Sequence, residues 1–78
     1  MDKISFELQT EIKSKPFGEF DIIITLQEGV DAESLNLRNY RFLMSDILAA
    51  KLTAEEIRIL ANNQSVVSIE NDAQMTAL

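Results

Sequence analysis

Two pairs of carboxylates in this chain have the spacing of groups that could act together, Glu55 with Glu56 and Glu70 with Asp72. Adjacent acids invite an acid/base reading, but neighbours on a helix point about 100° apart. Glu56 also follows Thr53 by three residues, the spacing of a capping box in which each side chain satisfies a backbone donor at a helix start, and this structural role is preferred. Glu70 and Asp72 differ, because residues two apart on a strand project from one face. Side by side, they suit a partner that presents helix N-termini, whose positive dipole ends favour anions. Taken alone, the preferred reading of the pair is a solvated strand end. The chain has no histidine and no cysteine, so neither a Ser-His-Asp nor a Cys-His nucleophile system can be assembled. Nor can it form a disulfide or a thiolate metal site. It contains no EF-hand spacing and no glycine-rich phosphate loop. Asp21, Asp31 and Asp46 stand isolated between apolar residues or at turns, where carboxylates usually cap or solvate. No enzyme activity and no cofactor or metal is expected.

The element that carries Glu70 and Asp72 is the strand Val66 to Glu70, short and rich in β-branched residues. Before it lies a helix starting at the Thr53 cap, with Leu52 and Ile57 as a hydrophobic staple and Ile57, Leu60 and Ala61 as its apolar stripe. Asn62 and Asn63 suit a left-handed turn at its end. After the strand comes Ala73-Gln74-Met75-Thr76-Ala77-Leu78, small, apolar and free of proline. Such a tail can lie extended and add to another protein's strand edge, or it can fray.

Upstream, Ile4, Phe6 and Leu8 alternate with polar residues, the period of a half-buried strand reaching Ile12. Pro16 and Gly18 mark a loop over Lys13 to Glu19. Phe20 to Leu26 is almost continuously apolar, as in a strand that is covered on both faces or central in its sheet. Val30-Asp31 opens a short helix ending near Asn39. Tyr40 to Met44 and Ile47 to Leu52 form a hairpin, and Ser45-Asp46 lacks the glycine of tight two-residue turns, so a looser turn is expected. The order strand, helix, strand, strand, helix, strand interleaves most simply as an α+β, ferredoxin-like split βαββαβ fold. This is a four-stranded antiparallel sheet with both helices on one face, plus an extra N-terminal strand or arm. The expected core is Phe20, Ile22, Ile24, Leu26, Phe42, Leu48, Leu52, Ile57, Leu60, Val67 and Ile69. The expected division is 1–19 for the arm and loop, 20–72 for the folded domain and 73–78 for the tail.

Seventy-eight residues make one small domain. With seven basic residues against thirteen acidic ones, a net charge of −6 argues against nucleic acid, which needs clustered Lys and Arg. It also argues against reading Tyr40 and Phe42 as base-stacking platforms. No stretch has transmembrane length and none reads as a signal peptide, so no membrane partner and a cytoplasmic location are expected.

The run Ala49-Ala50-Lys51-Leu52-Thr53, then Ile57 and Leu60, then Val66, Ile69-Glu70 and Asp72, resembles the propeptides of subtilisin-like serine proteases and the free-standing inhibitors related to them. The resemblance runs ungapped from about Arg41 to Leu78, including the distance from the acidic strand end to the C-terminus. Asp21 to Leu26 is similar to that family's first strand, and residues 1–19 have no placed counterpart. The resemblance implies the ferredoxin-like fold, a protein that is monomeric when free, and inhibition of a subtilisin-like protease together with a folding-module role. It implies binding through the sheet surface, with Glu70 and Asp72 against helix starts of the protease. It further implies a tail lying in the active-site cleft like a cleavage product, with Leu78 in the primary pocket, Ala77 in the next, Thr76 behind it and Met75 in the hydrophobic fourth pocket. Asn71 stands where some relatives carry a further acid. A detached propeptide would be extracytoplasmic. The alternative is a small structural or regulatory interaction module of the same fold.

Overall fold

The strand β1 (Glu19–Leu26) sets the architecture, since its residues alternate between buried and half-exposed along its length. Phe20, Ile22, Ile24 and Leu26 go into the core, whereas Asp21, Ile23 and Thr25 face the other way. The computed structural model describes residues 3–37 and 39–72. In chain order the further elements are α1 (Phe6–Ser14, before β1), a 3-10 turn (Ala32–Leu35), β2 (Tyr40–Met44), β3 (Ile47–Thr53), α2 (Ala54–Ala61) and β4 (Val66–Asn71). The sheet order is β2-β3-β1-β4, and all neighbouring pairs run antiparallel. This is the ferredoxin-like α+β arrangement, with β1 central as expected. Among the described residues the helices cover one face of the sheet only.

α2 starts as its sequence requires. The Thr53 amide donates to Glu56 Oε1 at 2.8 Å, and the Glu56 amide donates to Thr53 Oγ1 at 3.2 Å. Leu52 and Ile57 are both buried beside it. Its end is not the left-handed turn anticipated, because Asn62 is right-handed with φ −87°. Asn62 instead closes the last turn with its own amide donating to Ile59 O and its side chain to Arg58 O, while Asn63 Oδ1 accepts from the Ser65 amide at 2.8 Å.

The N-terminal strand is overturned. Residues 6–14 form a helix, capped by Ser5, whose side chain accepts from the Leu8 amide. Glu7 sits in the first turn and Lys13 in the last, complementing the helix dipole. Pro16 ends it by forcing Lys15 out of the helical region, to φ −135° and ψ 67°. The period-two run Ile4, Phe6, Leu8 is coincidental: Leu8 and Ile12, one helical turn apart, enter the core, while Phe6 is 81% exposed. Among the described N-terminal residues strand pairing survives only at Ile4, which bridges Ile69 in parallel, with the Ser5 amide donating to Ile69 O at 2.9 Å and the Ile69 amide to Lys3 O at 2.8 Å. The anticipated first crossover helix is reduced to the four-residue 3-10 turn. Asp31 caps that turn and Asn36 ends it in the left-handed region.

Two bulges account for the remaining differences. Between Thr25↔Ser68 and Leu26↔Val66 the register slips by one residue on β4. Val66 is thereby carried into the core and Val67 out of it, to 44% exposed. The β2–β3 hairpin keeps a two-residue turn at Ser45-Asp46 and places its irregularity between Phe42 and Met44. With no crossover helix over β2, Phe42 is 56% exposed rather than core.

Helix and strand readings of the N-terminus predict different mutational costs. Leu8→Ala should destabilise the domain by about 2–5 kcal/mol in chemical denaturation. Phe6→Ser should cost no more than about 0.5 kcal/mol. Comparable losses for both would restore the strand.

Candidate functional site: the uncovered face of the sheet

All residues of the core cluster that come from the strands lie on the face shared with α1 and α2. Register then assigns the opposite face. One row across it is Glu70, Ile23, Ala49 and Arg41, the next is Ser68, Thr25, Ile47 and Met44. A third contains Asp21 opposite Lys51, with Asp72 on the far side of Asp21, where its amide donates to Asp21 O at 3.0 Å. The middle of this face is therefore aliphatic and small, formed by Ile23, Ala49, Ile47 and Thr25. Its rim carries acids along β4 and β1 and bases along β3 and β2. An apolar centre within a charged rim is the composition of a protein-binding surface. Asp21 and Lys51 stand directly opposed on adjacent strands, with opposite charges. An open depression of about 380 Å³ lies beside it, lined by Asp21, Tyr40, Arg41, Lys51 and Asp72 among others. Among the described residues no three potential ligands come close enough to hold a metal ion.

Glu70 and Asp72 both belong to this face, but they are presented unequally. Glu70 is exposed, whereas Asp72 is only 5% exposed. Asn71, between them, faces the helices: it lies opposite Ile22, its Nδ2 donates to Glu11 Oε2, and its Oδ1 accepts from Ser5 Oγ at 3.5 Å. It is thus outside the face where a further acid would act. Met75, Thr76, Ala77 and Leu78 lie outside the described residues. Glu56 is bound within the capping box, as its spacing requires, and Asp31 caps the 3-10 turn through the Glu33 amide at 3.0 Å.

Asp21, Lys51 and Arg41 are not singled out by sequence reasoning. Asp21 looks isolated along the chain, yet the alternation of Asp21, Ile23 and Thr25 against Phe20, Ile22 and Ile24 already places it on the outward side. Its opposition to Lys51 needs the β1–β3 register, which sequence periodicity does not supply.

A family model for peptidase inhibitor I9 matches residues 5–78. The chain belongs to the peptidase inhibitor I9 family. Family membership makes it an inhibitor domain of the subtilisin-propeptide type and not an enzyme. The I9 match begins at Ser5, the cap of α1, so residues upstream of β1 do have a counterpart in the family. No curated protein and no solved structure matches the chain. Among the described residues of this I9 domain, no helix is long and apolar enough to cross a membrane.

The charge rows are testable in the free I9 domain. Lys51→Glu would place three acids in one row with Asp21 and Asp72. Stability should fall by about 0.5–2 kcal/mol at low ionic strength, with most of the loss recovered in about 1 M salt. A salt-independent loss would assign Lys51 a packing role instead.

Proposed function

We propose that this I9 domain inhibits a subtilisin-like serine protease by laying the uncovered sheet face on the enzyme and directing residues 73–78 product-like into the active-site cleft. The observation that carries this reading is the position of the charged rim. Glu70 and Asp72 lie at the end of the strand from which the tail departs, on the same face as the aliphatic centre Ile23, Ala49 and Ile47. Docking that face buries the aliphatic centre, and the carboxylates meet helix N-termini of the protease. The exposed Glu70 makes the freer contact, and Asp72 anchors the start of the tail. Leu78 fills the primary pocket beside the catalytic serine, Ala77 the next, with Thr76 behind it and Met75 in the hydrophobic fourth pocket. Inhibition then requires no chemistry from the inhibitor. A surface complementary to the folded protease also favours that fold by mass action, which is the physical basis of a folding-module role.

Steady-state inhibition of subtilisin on a chromogenic peptide tests the proposal. The wild-type chain should compete with substrate at or below about 10 µM, roughly 7 kcal/mol of binding. Leu78→Asp should weaken inhibition about a hundredfold or more by placing an unpaired charge in an apolar pocket. Alanine at both Glu70 and Asp72 should cost about 0.5–3 kcal/mol of affinity. Removing residues 73–78 should abolish competition while circular dichroism stays unchanged. A tail-less chain that still competes for the active site overturns the product-like mechanism.

A further inference from the structure

Asn71 occupies a position where strand alternation calls for an apolar residue. It follows Ile69 on the inward face of β4 and lies opposite Ile22, and both neighbours are completely buried. Half-buried at the strand end, its side chain has two partners, both on the N-terminal segment: its amide group donates to the Glu11 carboxylate, and its carbonyl accepts from the Ser5 hydroxyl. The bond to Glu11 is charge-assisted and so among the stronger kinds. Ser5 is itself fixed twice more, as the cap of α1 through the Leu8 amide and by its own amide on Ile69 O. Lys3 adds a tie from its ammonium group to Asn63 O at 2.7 Å, at the loop that feeds β4. The N-terminal segment therefore grips β4 at both ends, and its last grip is Asn71. One residue later the backbone is held by the Asp72 amide on Asp21 O.

We infer that Asn71 is a positioning residue: tethered to Glu11 and Ser5, it locks the end of β4 so that Glu70 and Asp72 stay on the opposite face. In terms of affinity this rests on the inhibitor reading above, where a fixed strand end lowers the ordering cost of docking. In terms of structure it stands without any protease.

Native-state hydrogen exchange reads the lock directly. Asn71→Asp sets two carboxylates against each other, and the Asp72 amide should exchange about tenfold faster, the size expected for one lost charge-assisted hydrogen bond, while amides of the β1–β3 ladder keep their rates. Adding Glu11→Gln to that variant supplies an amide donor to the new carboxylate and should return the Asp72 rate to near its original value. Glu11→Ala, at an exposed helix position where folding is safe, should by itself loosen Asp72. Inhibition constants should follow the same order across the four proteins. An Asp72 rate that stays unchanged, or one that rises together with every ladder amide, overturns the inference, the latter because Asn71 would then serve only global stability. A wild-type chain that fails to inhibit removes the inhibitor reading alone, since the exchange arm uses the free domain.

Discussion

A strand in the middle of a sheet has two faces, and among the described residues of this protein one layer of helices covers only one of them. β1 is bonded on both edges, to β3 and β4, so its backbone groups are satisfied and its side chains decide what each face does. Phe20, Ile22, Ile24 and Leu26 bind the sheet to α1 and α2, and the core cluster lies on their side. The intervening residues are committed to the other side. Ile23 and Ile47 are only half-buried there, and no element of the core cluster reaches them. The same alternation that builds a domain from a small number of residues thus leaves an aliphatic surface with charged edges.

How the helix layer is assembled has consequences for function. The crossover between β1 and β2 contains only a 3-10 turn, which cannot cover the sheet as a helix would. α1 compensates from the N-terminus, packing Leu8 and Ile12 into the shared core, but it does so near β4 and leaves β2 thinly covered. Weight is thereby moved toward the strand that carries Glu70, Asn71 and Asp72. A small domain has little stability in reserve. β4 is an edge strand, held on one side by β1 and on one face by α1 and α2, so its hold on the sheet depends on those two helices.

Sequence signals are legible here where the chemistry is local. The Thr53–Glu56 box, the staple of Leu52 with Ile57 and the apolar run of β1 all follow from spacing within a few residues. The N-terminal segment misleads because Ile4, Phe6 and Leu8 satisfy a two-residue period while Leu8 and Ile12 satisfy a helical one, and only packing against Ile69 and the sheet chooses between them. Val66 and Val67 exchange places because a bulge, which no propensity announces, shifts the register of β4. Glu70 and Asp72 fall on one face from their spacing alone. Their neighbours Asp21, Lys51 and Arg41 come from three other strands of the sheet, and Asn71 finds Glu11 sixty residues away. Such juxtapositions are properties of topology, and sequence spacing does not contain them.

If the uncovered sheet face is what meets the protease, methyl groups report on it directly, because Ile23, Ile47 and Ala49 lie on that face while Ile59 is exposed on α2, on the other side of the molecule. Methyl NMR spectra of the labelled domain, titrated with subtilisin inactivated at its catalytic serine, would separate the two sides. Docking through the sheet predicts large shifts or cross-saturation at Ile23, Ile47 and Ala49, with Ile59 unchanged. Perturbation confined to Ile59 and the helix side, with Ile23 silent, would contradict it.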